Sequence, residues 1–485
     1  MVAETPSSDL GSNWGHSVNS GLRSGAKSGI QSGKLAGLST FSAIRVVALP
    51  VLLQQFLQAM VGMVDKMLAG RLPEHQVLAA LDAIGIGSFV GWFIGIAMAA
   101  LGVGGSAIIA RAMGAGRAEE AGVALRRSME FSLLWGAVVG SILWLGADPI
   151  SRLMELSPSA DAFYRQYIGI VALSMPAAGL FMVTSMSLQG AGETLRPALA
   201  AIVLNIVNAV VSAGLAHPDW GGLGVAGIAW GTAAAHYCGA ILMIIIALRG
   251  TTDLRLPRRV GDEYQGMLGR FVKIGLPSFA EGISMWSVNI FILQFIATIG
   301  QRRGLEEGLQ GVHIVAVQWE AFSFLPGFAI GTAAGTLAGQ YLGANDPRQA
   351  RRAVWLCVLI TAVAMGAFGI LFMTIGLPLT RLVSNNPLHL EEVPRLLFIA
   401  GIFQIPFAIT MVLRQALRGV GDTRWCLFIT TGSSYLVRLP LAWWLGVKLE
   451  LGIAGVWWAL MGELTLRAIL FSLRFRSRAW ESTKV

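Results

Sequence analysis

The sequence predicts an all-α polytopic membrane protein, with twelve transmembrane helices in two six-helix lobes related by a parallel repeat. Three observations carry that expectation. The 485 residues are 55% hydrophobic and only 13% charged, with a mean hydropathy of +0.65, where soluble chains carry about 25% charged residues. Apolar runs of about 20 residues, each able to cross about 30 Å of hydrocarbon, follow one another from Ile44 nearly to the C-terminus. The second half of the chain then repeats landmarks of the first.

Taken in order, residues 1–41 are rich in Ser and Gly without an apolar run, and read as a disordered tail. A signal peptide would need an apolar core and a small-residue cleavage site. Twelve apolar runs follow, at 44–70, 80–108, 127–147, 163–188, 197–215, 223–248, 273–299, 312–340, 353–377, 394–415, 424–446 and 452–472. The first six make an N-terminal lobe over 42–250. The polar stretch 251–272 reads as a linker, the last six runs make a C-terminal lobe over 273–473, and 474–485 is a short tail.

The formal net charge of +9 would point to nucleic acid in a soluble chain. Here the basic residues mark membrane edges instead, and no nucleic-acid partner is expected. Arg111, Arg117, Arg126 and Arg127, then Arg249, Arg255, Arg258, Arg259 and Arg270, then Arg348, Arg351 and Arg352 all fall on the side that holds both termini. The opposite loops carry few, among them Arg71, Arg152, Arg381 and Lys448. The positive-inside rule therefore places both ends in the cytoplasm, with the chain in an inner or plasma membrane. An even number of spans requires the same.

The repeat is specific. Gly114-Ala115-Gly116 returns 229 residues later as Gly343-Ala344-Asn345. Leu188-Gln189-Gly190-Ala191-Gly192-Glu193-Thr194 returns, again after 229, as Leu417-Arg418-Gly419-Val420-Gly421-Asp422-Thr423. Leu223-Gly224 and Leu451-Gly452 stand 228 apart, and Leu49-Pro50 and Leu276-Pro277 stand 227 apart. Parallel repeats of this kind are related by an axis along the membrane normal, with the substrate site near the midplane between them. In the glycine turns a left-handed Gly ends one helix, and Thr194 is placed to cap the next, with Pro197 in its first turn.

Polar residues inside the runs are the candidate site. Asp65 lies about twenty residues into the first run, and a carboxylate at mid-membrane costs about 2.5–3.5 kcal/mol on insertion scales. Its charge state depends on burial and on nearby cations, which is what an ion-coupled switch requires; the alternative is a pair with Lys66. Asn205 and Asn208, at i and i+3, are placed to hydrogen-bond Asp65, with interhelical glue as the alternative reading. Gln54 and Gln58, at i and i+4 beside Gln55, share a helix face and line either a cavity or a helix contact. Glu281, Gln318 and Glu320 lie within the seventh and eighth spans, Glu320 between Trp319 and Phe322, which suits an aromatic cavity attractive to organic cations. Glu463 and Arg467 read as a structural pair, Arg438 as a partner of kinked backbone carbonyls, and His236 as a hydrogen-bonded helix residue.

These landmarks resemble the multidrug and toxic compound extrusion (MATE) family over roughly residues 42–472. The resemblance rests on Pro50 with Val64-Asp65 and Ala69-Gly70, on the Gly114-Ala115-Gly116 and Gly343-Ala344 loops, and on the two G-x-G-[DE]-T turns. The Asn205-x-x-Asn208 helix and Arg438-Leu439-Pro440 before Gly452-x-x-Gly455-Val456-Trp457 complete it. It implies a secondary antiporter that exports organic, cationic or amphipathic, compounds in exchange for H⁺ or Na⁺, with Asp65, Asn205 and Asn208 coupling the ion. Two family positions differ: Ser212 stands where an acid or Asn usual for the fifth helix would be, and Met285 where a seventh-helix Glu is common.

Other functions are weaker. Lipid-linked oligosaccharide flippases of the same superfamily usually have fourteen spans and a cationic cavity. An integral membrane enzyme would need a nucleophile–base or metal constellation, yet Cys238, Cys357 and Cys426 lie singly in apolar runs and the six His are scattered without an H-E-x-x-H. No cofactor beyond the coupling ion is expected. The partners are a small organic substrate and the bilayer, and the chain is expected to act as a monomer.

Overall fold

In the computed structural model, residue 30 and residues 33–485 are described, apart from 155, 252, 260, 262, 263, 306, 307 and 484. Long hydrophobic runs become long helices, α1 (Thr40–Ala69), α2 (Glu74–Gly114) and α3 (Ala118–Leu153), with Pro50 inside α1 and Pro149 inside α3. The fourth span is broken into α4 (Pro158–Leu173) and α5 (Met175–Gly190), which meet at 54° around Ser174. Pro176 sits in the first turn of α5, where its missing N–H costs nothing. Helices α6 (Leu195–Ala216) and α7 (Val225–Arg249) complete the first six spans.

The second half follows the same plan. After α8 (Met267–Arg302), α9 (Leu309–Gly343) and α10 (Pro347–Arg381), a second broken span joins α11 (Pro387–Ile402) to α12 (Gln404–Gly419) at 58°. Next come α13 (Thr423–Ser433) and α14 (Leu439–Trp443), with π turns at Ser434–Arg438 and Trp444–Lys448. They form one rod of about 39 Å at 1.5 Å per residue. The π turn before Pro440 accommodates the N–H that proline lacks. Helix α15 (Gly452–Arg476) and a short 3₁₀ turn (Ala479–Ser482) end the fold. Nine single spans, two bent pairs and the π-interrupted rod make the twelve expected spans, six in each lobe. Because α8 starts at Met267, it takes in the last part of the stretch read as linker.

The repeat is written into the backbone as well. Left-handed φ occurs at Gly116 (72°) and Asn345 (56°), at Gly192 (81°) and Gly421 (88°), and at Gly224 (54°) and Gly452 (67°). Asn is among the few side chains that tolerate this region. One expectation is corrected here. Thr194 makes no cap for α6; its Oγ1 donates to the Val46 carbonyl at 2.8 Å. Pro50, four residues after Val46, has no N–H to offer that carbonyl, so Thr194 satisfies it.

The packing places the two lobes. Toward the end that carries the termini, clusters of buried side chains mix the lobes. Ile44, Val47 and Ala48 of α1 pack with Leu337, Val412 and Phe471, while Phe271 and Ile274 of α8 pack with Ile108 and Leu125. Gln340 Nε2 donates to the Gly190 carbonyl at 2.9 Å, and Thr336 Oγ1 to the Gln189 carbonyl at 3.0 Å. Toward the other end, one cluster belongs wholly to the second lobe, and one belongs to the first with only Phe279 added. The molecule is therefore closed at the termini end and parted at the other.

Most of the predicted disordered tail, residues 1–29, 31 and 32, lies outside the described residues. Its last part is ordered, which corrects the expectation. Leu35 is buried, the Gly33 N–H donates to Asp253 Oδ2 at 2.6 Å, and Lys34 Nζ lies 2.7 Å from Glu193. This stretch seals the closed end beside the Gly192 turn, where Leu35 fills the space facing the glycine.

Candidate functional site

The first lobe gathers a polar site around Asp65. Its carboxylate is 3% exposed and touches only neutral donors. Thr232 Oγ1 of α7 donates to Oδ2 at 3.1 Å, Tyr167 Oη of α4 to Oδ2 at 3.3 Å, and Asn208 Nδ2 of α6 to Oδ1 at 3.4 Å. Asn208 Nδ2 also reaches Thr232 Oγ1 at 3.1 Å and Ser212 Oγ at 3.4 Å, while its buried Oδ1 has no hydrogen-bond partner. Lys66, one residue on and about 100° around the helix, is exposed and does not pair with Asp65. Gly231 permits the approach, since a Cβ there would lie 1.9 Å from Ser212 Oγ.

Asn205 is corrected. It is half-buried and donates to the Ala201 carbonyl of its own helix at 2.9 Å, so it does not reach Asp65. On a 3.6-residue helix the face that meets Asp65 is shared more closely by Asn208 and Ser212, at i and i+4.

The second lobe holds two buried ion networks. Glu281 of α8 is 1% exposed. Arg418 binds it through Nη2 at 2.8 Å and Nε at 3.3 Å, Thr430 Oγ1 donates at 2.9 Å, and Arg414 Nη1 stands at 3.6 Å. Deeper in the lobe, Glu463 is 0% exposed between Arg438 at 2.7 Å and Arg467 at 2.7 Å. The pairing of Glu463 with Arg467 is as expected, but Arg438 is corrected: it holds Glu463 and not kinked carbonyls. His236 hydrogen-bonds Ser174 at 2.9 Å, at the break in the fourth span.

Between the lobes lies a cavity of about 150 Å³. Gln54, Gln55, Gln58, Gln189 and Gln415 supply amides, and Phe181, Met182, Met186 and Phe328 supply apolar wall, with Arg418 at one side. Gln54 and Gln189 are linked, through Gln189 Nε2 to Gln54 Oε1 at 3.0 Å. Glu281, Gln318 and Glu320, expected to line the substrate cavity, do not line this one. Glu281 is walled off by the arginines that neutralise it, Gln318 is exposed on α9, and Glu320 is half-buried beside Trp319 within electrostatic reach of Arg438. The expectation of an acidic, cation-attracting cavity is corrected accordingly.

A family model described as MatE matches residues 50–213 and again residues 277–444, one match in each lobe. The chain belongs to the MatE family. A probable multidrug resistance protein NorM of Thermotoga maritima is 26% identical over 90% of this chain and 92% of its own length. The multidrug resistance protein PmpM of Pseudomonas aeruginosa is 26% identical over 89% of this chain and 90% of its own. The fold matches the outward-facing conformation of a MATE family transporter of the MOP superfamily, with a TM-score of 0.82 at 20% identity over 92% of this chain and 98% of that one.

Two residues of this MatE chain's first site escaped the sequence. Tyr167 and Thr232 each sit in an apolar helix with one polar atom aimed inward, and Thr is unremarkable in such helices. In the second lobe, Arg414 and Arg418 stand at the end of a span, where nothing in the sequence marks them as partners of Glu281, an acid 137 residues from Arg418.

Proposed function

We propose that this MatE protein is a secondary antiporter that exports organic amphipathic compounds in exchange for H⁺ or Na⁺. The observation that carries this reading is Asp65, a buried carboxylate in the first lobe with no cation beside it among the described residues and only neutral partners. A buried charge without a counter-charge is costly, so the site is stabilised when it takes up a proton or a small cation. Asn208 Oδ1, buried and unpartnered, adds a free acceptor beside that carboxylate. The surrounding atoms are all oxygens or amides, hard ligands suited to H⁺ or Na⁺ and not to a soft metal.

The architecture supplies the second requirement. Two duplicated lobes closed at one end and parted at the other form one of the two states that alternating access needs. The arginine asymmetry supports a cytoplasmic closed end with both termini there, and so an outward-facing state in an inner membrane. Binding of the ion to Asp65 drives the change only through its different affinity for the two states.

The test is efflux of a panel of fluorescent amphipathic dyes from vesicles containing the purified protein, with pH and sodium gradients imposed separately. Export driven by one gradient is expected; passage that ignores both would refute antiport.

A further inference from the structure

Among the described residues that wall the cavity, Arg418 is the only charged one. Its nearest acid, Glu281, is already filled: one oxygen takes Arg418 Nη2 and Nε, the other takes Thr430 Oγ1, with Arg414 close by. Two guanidiniums against one carboxylate leave this cluster one positive charge in excess. Arg414 Nε is buried without a hydrogen-bond partner, and among the described residues neither arginine is paired with a second acid. Arg418 keeps N–H groups beyond those given to Glu281 and to Gln415 Oε1. Gln415 spends its oxygen on that contact, which leaves its amide nitrogen as a donor. Phe181 and Phe328 line the same cavity and offer apolar surface.

From this arrangement we propose that the cavity binds amphipathic carboxylates, the anionic group on Arg418 and Gln415 and the apolar body against Phe181 and Phe328. The proposal rests on the efflux reading for its physiological meaning and on the cavity alone for its chemistry. A carboxylate accepts from guanidinium and amide together and meets a charge that no acid of the wall offsets. An ammonium group of the same size meets the like charge of Arg418 with no acid of the wall to offset it, so it binds less tightly.

The experiment uses three fluorescent compounds of one scaffold, pyrenebutyrate, pyrenebutanamide and pyrenebutylamine, titrated into the full-length protein in nanodiscs, with empty nanodiscs subtracted. The carboxylate is expected to bind at least about tenfold more tightly than the amine, the effect of one charge-assisted hydrogen bond. Arg418→Gln should remove that preference. Because this change also strips Glu281 of its main partner and so endangers folding, Gln58→Glu is measured beside it. That variant adds an acid to the cavity wall at a residue outside the Glu281 cluster, and should abolish or reverse the preference. Equal or tighter binding of the amine by the unaltered protein would overturn the proposal. So would a carboxylate preference that survives both variants, or failure of all three compounds to bind. Gradient-driven export of the dye panel is scored independently, so loss of the carboxylate preference leaves the antiport reading standing, and loss of antiport leaves the cavity chemistry decided.

Discussion

Replacing Gly114 by Ala tests the closed end of the molecule. A Cβ at this position falls 1.8 Å from the Gln340 carbonyl oxygen and 2.6 Å from its carbon, where ordinary contact begins at 3.4 Å. The shortfall of 1.6 Å (3.4 − 1.8) is against helix backbone, which cannot swing aside as a side chain would. The repeat mate behaves alike, with a Cβ on Gly343 at 2.2 Å from the Arg111 carbonyl oxygen. Overpacking of this kind costs about 1–3 kcal/mol. Because α2 and α9 meet here only while the termini ends are closed, the cost falls on that conformation alone and shifts the balance about 5- to 150-fold toward the other. Spin labels at Met154 and Leu382, exposed at the far ends of α3 and α10, report the change by double electron–electron resonance, with Cys238, Cys357 and Cys426 replaced. The interlabel distance should shorten in Gly114→Ala as the parted end closes. Gly462→Ala, where a Cβ would meet nothing within 4 Å, is the control. An unchanged distance distribution in folded Gly114→Ala protein would refute the assignment of this contact to one state.

Glu463→Gln leaves Arg438 and Arg467 buried without their common carboxylate. Thermal unfolding of the purified protein should register a loss of about 3–5 kcal/mol, partly restored by adding Arg467→Gln; an unchanged melting temperature would contradict the network. Asn205→Ala should alter ion-driven efflux little, since Asn205 bonds its own helix, while Asn208→Ala should impair it because Asn208 reaches Asp65. Equal effects would return Asn205 to the site. Epitope tags inserted within 255–265 and at the C-terminus should be reached only from the cytoplasm, and labelling from outside would overturn the orientation.

Much of the fold was legible because lipid makes hydrophobicity a direct signal, and because Gly-rich turns recur at one spacing. Asn345 keeps the left-handed turn that Gly116 makes in the first half, so even a substituted landmark could be aligned. Asp65 stood out for the same reason: one carboxylate in an apolar run needs an explanation. What the sequence hid were partnerships between distant spans. Glu281 looked like a free cavity acid because Arg414 and Arg418 sit beside a polar turn, and only the fold, with α8 packed on α13 and the long arginine side chains reaching across from α12, brings them onto it. Arg438 was hidden by the π turn, which rotates its side chain onto α15 in place of the local carbonyls. The spacing of Asn205 and Asn208 was read correctly as one-sided, yet a 60° difference around the helix separates a residue that meets Asp65 from one that does not.

The central claim is that Asp65 converts an ion gradient into transport. It is tested most directly by comparing Asp65→Asn with the unaltered protein in vesicles, measuring gradient-driven dye export and, on the same preparations, equilibrium binding of the dye. Asparagine keeps the size and hydrogen bonding of the side chain but cannot release a proton or carry a charge to a cation. Ion-driven export is expected to vanish while dye binding persists, because the cavity between the lobes does not include Asp65. Full gradient-driven export by Asp65→Asn would contradict the account and assign the coupling to the acids of the second lobe.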